Sequence, residues 1–309
     1  MTAPIIIFPY NRPDHLRKTV HALQENDLAT VSDLYVYSDA PRDSAASQNV
    51  DIVRALCREI CGFRSVTIVE RERNLGPCES FRQGISETLE RHDTAIIFDD
   101  DTVCSTKTLA YFNACLERYR DRPAVFSITG WRPPSSLFQI PKDYPYDVFF
   151  MPRNGSWGWA IWRDRWNKID WDLSDYDVFA REKTLKDAFA ACGSDLPYML
   201  DAQRSGRINT WDIQICYAQF KQHAVTVYPV VSYTANIGLD GSGTHFKENG
   251  SRFISALEDG HEARRFPEHI FVDDRILVAF RKVYAMPGLA TRIVNKVWRI
   301  LFGRNLIVR

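Results

Sequence analysis

The chain has 309 residues, enough for one large domain or two intimate halves around a shared core. Hydrophobic residues make up 45% and charged residues 25%, which excludes a disordered chain. The 39 basic and 39 acidic residues cancel, and general nucleic-acid binding, which needs a basic face, is disfavoured.

The segment Pro4 to Tyr10 is apolar without alternation and predicts a buried strand. No basic stretch precedes it, so it reads as a first strand and not as a signal peptide. Pro13 opens a helix at its first position, with Leu16, Val20 and Leu23 on one face. Leu34 to Tyr37 predicts a second strand, and Ser44 to Cys61 a helix with Val50, Val53, Leu56 and Ile60 inward. Ser65 to Val69 predicts strand three. Gly76-Pro77 opens a helix carrying Phe81, Ile85 and Leu89, and Thr94 to Phe98 predicts strand four. Strands spaced by helices imply a parallel sheet with right-handed crossovers.

After Thr106 the pattern changes. A helix over Leu109 to Tyr119 and a strand over Ala124 to Ile128 lead into a Pro- and aromatic-rich stretch, Trp131 to Phe150. Gly155 to Trp162 sets glycines among large rings and predicts a loop with its rings open to a ligand. Helices are expected over Lys183 to Ala191 and Asp212 to Gln222, and a strand over Val225 to Tyr233. Asn236 to His245 is glycine-rich and reads as a closing loop. Pro287 to Arg309 sets Leu289, Ile293, Val297, Trp298, Ile300 and Leu301 among Arg292, Lys296, Arg299 and Arg304. Two readings stand for this basic amphipathic helix: rest on an anionic bilayer, or packing on the body. No run approaches the ~18 apolar residues of a membrane span. The seven cysteines are scattered; Cys57 and Cys61 lie one helical turn apart, but no second pair or nearby histidine completes a zinc set. They read as reduced core thiols of a cytoplasmic protein.

The polar residues gather where the strands end. Strand one runs into Tyr10-Asn11-Arg12, strand two into Ser38-Asp39, strand three is followed by Arg73-Asn74, and strand four ends in Asp99-Asp100-Asp101. Open α/β sheets bind ligands beyond the carboxyl ends of their strands. Three adjacent carboxylates repel one another, and a strand end tolerates them when a cation or strong donors stand opposite. The competing role, capping the helix that follows, needs only one aspartate. A divalent metal carrying a substrate phosphate is therefore expected there. No glycine-rich phosphate loop follows strand one, so neither a dinucleotide fingerprint nor a Walker loop is present.

Taken in order, these motifs resemble the nucleotide-diphospho-sugar glycosyltransferases of GT-A fold, family 2 and the N-acetylglucosaminyltransferase I family. The likeness runs from about Pro4 to His245. It comprises Tyr10-Asn11-Arg12-Pro13, Ser38-Asp39, Arg73-Asn74-Leu75-Gly76, the acidic triplet, Gly158-Trp159, Trp211-Asp212, and Pro229 to Thr234 with the loop after it. The resemblance implies an α/β fold with a central, mostly parallel sheet and flanking helices, an acceptor-side subdomain and C-terminal helices. Residues 1–105 would form the nucleotide-sugar half, 106–250 the acceptor-binding and catalytic half, and 251–309 a helical extension. It also implies a nucleotide pocket of Tyr10, Asn11, Arg12, Asp39, Arg73 and Asn74, with Arg12 and Asp39 on uracil or ribose. Asp99 and Asp100 would face ribose and sugar, Asp101 would hold Mn2+ or Mg2+ with His245, and Asp212 would be the base. The triplet reads Asp-Asp-Asp where Glu-Asp-Asp is common. Family members often carry two acids after the tryptophan, whereas Trp211-Asp212 is followed by Ile213.

The chemistry implied is displacement at an anomeric carbon. A divalent ion stabilises the departing diphosphate, and hard oxygen ligands suit Mn2+ or Mg2+. The acceptor hydroxyl must lose a proton as it attacks, which a positioned carboxylate can take. A single direct base implies inversion, by analogy with inverting glycosidases. Several roles stay open: Asp212 as base or as helix cap, Trp157 and Trp159 on acceptor sugar beside Gly158 or in the core, and His245 on metal or in solvent. The partners expected are a nucleotide-sugar donor, UDP favoured over GDP by the Asp39 match, and a glycan or lipid-linked acceptor. The site would be cytoplasmic, with residues 287–309 against an anionic membrane surface. Two other classes compete. A sugar nucleotidyltransferase would need a glycine-rich loop where Asn11-Arg12-Pro13 stands. A non-catalytic carbohydrate-binding protein would have no need of an intact triplet and Asp212.

Overall fold

The computed structural model of the chain describes residues 2–241, 250–255, 257, 259–288 and 291. The first stretch alternates as its apolar runs predict: β1 (Ile5–Phe8), α1 (Pro13–Gln24), β2 (Asp33–Ser38), α2 (Ser44–Arg58), β3 (Ser65–Glu70), α3 (Gly76–Arg91) and β4 (Thr94–Asp99). β5 (Thr102–Cys104), α4 (Thr108–Arg118), β6 (Val125–Thr129), β7 (Val148–Met151) and β8 (Trp159–Trp162) follow. Then come α5 (Arg163–Trp166), α6 (Tyr176–Arg181), α7 (Lys183–Phe189), α8 (Asp195–Arg204), α9 (Asp212–Lys221), β9 (Val225–Pro229), β10 (Thr234–Asn236) and α10 (Asp274–Val283).

Eight strands form one sheet in the order β3-β2-β1-β4-β8-β6-β9-β7, and β10 pairs with β5 in a separate two-stranded ribbon. β1 to β4 are mutually parallel, with Ile5 opposite both Leu34 and Ile96. β8 runs antiparallel between β4 and β6. This is a GT-A type α/β fold with a mostly parallel centre. The sheet passes without a break across residue 105, because β4 is bonded to β8.

Alternation along each strand builds two cores. Ile5, Ile7, Leu34, Val36, Ile96 and Phe98 join Leu16, Leu23, Val53 and Phe112 from α1, α2 and α4 on one face. Ile6, Phe8, Tyr37, Ala95 and Ile97 join Phe81, Ile85 and Leu89 of α3 and Ile215 of α9 on the other. A third cluster sets Phe149, Met151 and Tyr228 of β7 and β9 against Phe179, Leu196, Leu200 and Tyr217. Ile276 and Phe280 of α10 are fully buried in it, so this part of the 251–309 stretch is packed into the body.

Two expectations are corrected. Val225 to Tyr233 is not one strand: β9 ends at Pro229, which has no N–H to extend a ladder, and β10 starts at Thr234 to pair with β5. The second half of Gly155 to Trp162 is not an open loop but the strand β8. Its glycines serve close packing instead of exposure. A Cβ on Gly155 would stand 2.8 Å from Thr129 Oγ1. Gly158 turns the chain into β8 at φ 72°, with Thr234 Cγ2 at 2.6 Å from where its Cβ would be. Gly158→Ala is expected to cost roughly 2 kcal/mol, from the left-handed backbone and the clash together, read as a lower urea midpoint. An unchanged midpoint would show that β8 is entered differently.

Candidate active site

Strands β1, β2 and β4 deliver their carboxyl ends to one side of the sheet, and two polar clusters form there. In the first, the Arg12 guanidinium, just past β1, reaches both Asp100 Oδ1 and Asp101 Oδ2, the latter at 2.8 Å. The Tyr10 amide donates to Asp100 Oδ2 at 3.3 Å, and the Thr19 hydroxyl donates to the Asp100 carbonyl at 2.9 Å. Burial opposes the charge on Arg12, yet Asp100 and Asp101 together raise its pKa above the ordinary arginine value. Burial pushes the Asp100 carboxyl up, and Arg12 pulls it back.

In the second cluster Asp39 closes the end of β2 onto α3. Its carboxylate accepts from the amides of Ala40, Leu75 and Gly76 at 2.9 Å each, and from Asn74 Nδ2 at 3.1 Å. A carboxylate at a helix amino end satisfies unpaired N–H groups and faces the positive end of the helix dipole. Tyr10 joins the two clusters, since its hydroxyl oxygen accepts from the Arg42 amide at 3.0 Å. Asp39→Ala is expected to lower stability by roughly 2 kcal/mol by orphaning these donors, a fall of about 3 °C in Tm by calorimetry. An unmoved Tm would mean that Arg73 to Gly76 is held by other contacts.

Asp99, the last residue of β4, has no ion pair among the described residues, because Arg12 turns to its two neighbours. Burial, then Asp101 and Asp100, hold its carboxyl well above the usual carboxylate range, and Asp212 adds to this from another part of the chain. Asp212 is brought there by rings. Trp211, the residue before α9, stacks on Trp159 at 5.3 Å and on Phe81 at 4.7 Å, and Phe81 stacks on Phe8 at 4.0 Å. Trp159 is paired with Ile97, two residues before Asp99, so this column sets the start of α9 beside the end of β4. Asp212 is the first residue of α9, partly exposed, and accepts from the Thr210 hydroxyl. It does not cap the helix: Trp211 occupies that position, without a side-chain cap bond.

The ribbon supplies residues that the sequence did not single out. Asn236 of β10 donates to Asp101 Oδ1 at 2.9 Å, and the Ile237 amide donates to the Asp101 carbonyl at 2.8 Å. Gly238 passes so close that a Cβ there would meet Asp101 Oδ2 at 2.0 Å. Only their place in a glycine-rich stretch hinted at this. His15 pairs with Asp240 at 3.2 Å on the same segment.

The structure therefore brings together Tyr10, Arg12, Asp99, Asp100 and Asp101, sets Asp39 against Asn74, and places Asp212 near Asp99. Asn11 is partly exposed beside them. Arg73 is exposed on the rim of a cleft of about 520 Å³ running from the end of β3 to Leu75 and Gln83. That cleft adjoins the Asp39 cluster, not the acidic triplet. Arg12 and Asp39, expected on uracil or ribose, are turned onto protein partners here. Trp159 is a correction. It is fully enclosed, because alternation in β8 points it at Trp211 and the second core, so it offers no face to an acceptor sugar. Gly158 is likewise buried, a turn residue under Thr234. Trp157 is partly exposed, with its ring against Trp131 at 4.6 Å and Phe253 at 6.1 Å. His245 lies outside the described residues, as do 289, 290 and 292–309 of the basic tail.

The carboxylates are hard oxygen donors, and Asp99, which has no ion pair among the described residues, is what an added cation would relieve, so the donor chemistry fits a divalent ion. With Arg12 seated on Asp100 and Asp101, no group of three His, Cys, Asp or Glu side chains stands ready to hold a metal among the described residues. No helix among them is long and apolar enough to cross a membrane.

The profile of Glycosyl transferase family 2 matches residues 5–175 of the chain. No curated protein matches it. Among solved structures it is similar to S. aureus TarS 1–349, at 12% identity and TM-score 0.41, covering 74% of this chain and 60% of that one. The same TarS fragment in complex with UDP-GlcNAc aligns at 13% identity and TM-score 0.40, covering 85% and 60%. GalNAc-T7 with UDP, GalNAc and Mn2+ aligns at 12% identity and TM-score 0.45, covering 76% and 43%. The chain thus spans less than two thirds of each of these structures.

Proposed function

The chain belongs to glycosyl transferase family 2, and from that premise we propose that it moves a sugar from a nucleotide diphosphate donor to the hydroxyl of a glycan or lipid-linked acceptor. The observation that carries this is the stacking of Trp211 on Trp159, which sets the start of α9, with Asp212, beside the acidic end of β4. In this reading the carboxylates of β4 hold the leaving diphosphate, and Asp212, on a separate element, acts on the incoming group.

In this reading UDP is the donor nucleotide, lying along the ends of β1 to β3. Tyr10, Asn11 and Arg73 border it. Asp39 and Asn74 act behind it by fixing the loop from Arg73 to Gly76. Asp99 and Asp100 face the ribose and the sugar. Asp101 would hold a divalent cation, Mn2+ or Mg2+, whose chemistry when bound is to neutralise charge building on the diphosphate as the bond to the anomeric carbon breaks. Asp212 takes the proton of the acceptor hydroxyl as its oxygen attacks the anomeric carbon. One base and one displacement invert that centre. Trp157, partly exposed, is the acceptor-side ring in this reading. The apolar and basic residues between 287 and 309 suit a membrane-borne acceptor on the cytoplasmic side.

The test is UDP release from a panel of UDP- and GDP-sugars, with and without Mn2+, against glycan and lipid-linked acceptors. Metal-dependent release from one UDP-sugar, accelerated by one acceptor class, is the expected result. Cleavage or synthesis of the nucleotide sugar itself would point to a nucleotidyltransferase instead, and no turnover of any donor would overturn the enzymatic reading.

A further inference from the structure

On the transferase reading, which the exchange inferred here presupposes, a divalent cation sits at Asp101. In the structure the cation facing Asp101 is Arg12, with Nη2 at 2.8 Å from Asp101 Oδ2 and a second pairing to Asp100. The other oxygen of Asp101 takes the Asn236 amide. Gly238 closes a further side, for a Cβ there would stand 2.0 Å from Asp101 Oδ2 and 2.8 Å from Arg12 Nη1. Asp101 is only 7% exposed. An ion taking Oδ2 competes with the guanidinium bonded there, because a divalent ion and a guanidinium that close together repel strongly in a part-buried site.

Arg12 has a second end to satisfy. Its Nη1 is buried and meets no hydrogen-bond acceptor among the described residues. A guanidinium with five donors suits an anion that presents pairs of oxygens for bidentate hydrogen bonding, as a phosphate does. Leaving this charge without its carboxylates would be costly, whereas handing it to a diphosphate would not.

We infer that Arg12 is a positioning residue that exchanges partners: it holds Asp100 and Asp101 here, and moves to the donor's diphosphate when a divalent cation takes its place at Asp101. The exchange makes metal and nucleotide diphosphate bind cooperatively. Metal alone must displace a guanidinium that then keeps only its pairing to Asp100, while metal with diphosphate supplies a second anionic partner. Linkage requires the coupling to be equal in both directions.

The measurement is Mn2+ binding, by electron paramagnetic resonance of the free ion and by calorimetry, with and without UDP, for the unaltered chain and Arg12→Gln. The unaltered chain is expected to bind Mn2+ weakly alone and about tenfold or more tightly with UDP. Arg12→Gln is expected to bind Mn2+ alone about tenfold more tightly than the unaltered chain, with little further gain from UDP. Equal or weaker Mn2+ affinity in Arg12→Gln overturns the exchange and leaves the transferase reading standing. No Mn2+ binding by either protein, with or without UDP, overturns the metal assignment and the exchange together. A second measurement needs no variant to fold. In the unaltered chain, the Arg12 guanidinium protons should exchange faster with solvent after Mg2+ is added, and slow again when UDP follows. Unchanged protection through both additions overturns the exchange.

Discussion

Asp212→Asn is expected to lower turnover by ~10²–10⁴-fold, the usual worth of a general base, with donor affinity within about twofold of the unaltered chain. The substitution keeps size and shape, and an asparagine oxygen can still accept from the Thr210 hydroxyl that holds Asp212. What goes is the capacity to take a proton. Some cost in helix stability accompanies it, about 0.3–1 kcal/mol, because a negative charge in the first turn of α9 is favourable against the helix dipole. Stopped-time UDP release measures turnover, and calorimetry with UDP measures affinity. A drop in turnover with intact UDP binding is the signature of a group that acts on the acceptor. Full turnover would relieve Asp212 of the role, and equal loss of affinity and turnover would make it a donor-site residue.

The second large effect is on stability. Trp159→Ala is expected to cost about 3–5 kcal/mol, the range for removing a fully buried aromatic from a core. That is a large share of the ~5–15 kcal/mol by which domains are stable, so the variant should show a much lower urea midpoint or fail to accumulate. The ring is fully buried between Trp211 and Trp166 and faces the second core from the middle of the sheet. Trp159→Phe, which keeps a stacking ring, should recover most of the loss. Were Trp159 an acceptor platform, the alanine variant would fold normally and lose only acceptor affinity. The two outcomes separate cleanly in one unfolding experiment.

The contrast between Asp212 and Trp159 shows what the linear chain reveals. β1 to β4 are legible because parallel strands buried on both faces are written as apolar runs, and the helices between them open on Pro13 and Gly76-Pro77. The acidic triplet is legible because three like charges in a row demand an explanation wherever they fall. β8 is not, since a short strand of tryptophans beside glycines has the composition of an exposed loop, and only its partners β4 and β6 identify it. β5 and β10 have three residues each, too few for a period to show. Asn236 and Gly238 act on Asp101 across more than a hundred residues, and nothing local beyond the glycine-rich run marks them. Arg12 and Asp39 are legible as polar groups at strand ends, but their partners are protein atoms that the sequence does not name.

The column of rings from Phe8 through Phe81 and Trp211 to Trp159 has a consequence for how the chain would choose among sugars. It ties the first strand, the third helix, the antiparallel strand and the ninth helix into one stiff strut. On the proposed transferase reading, the gap between the acidic end of β4 and Asp212 would then be a gauge held by stacked aromatics. Discrimination among donors would come from the rim around that gauge, and attempts to retune it would belong there, with the strut left alone.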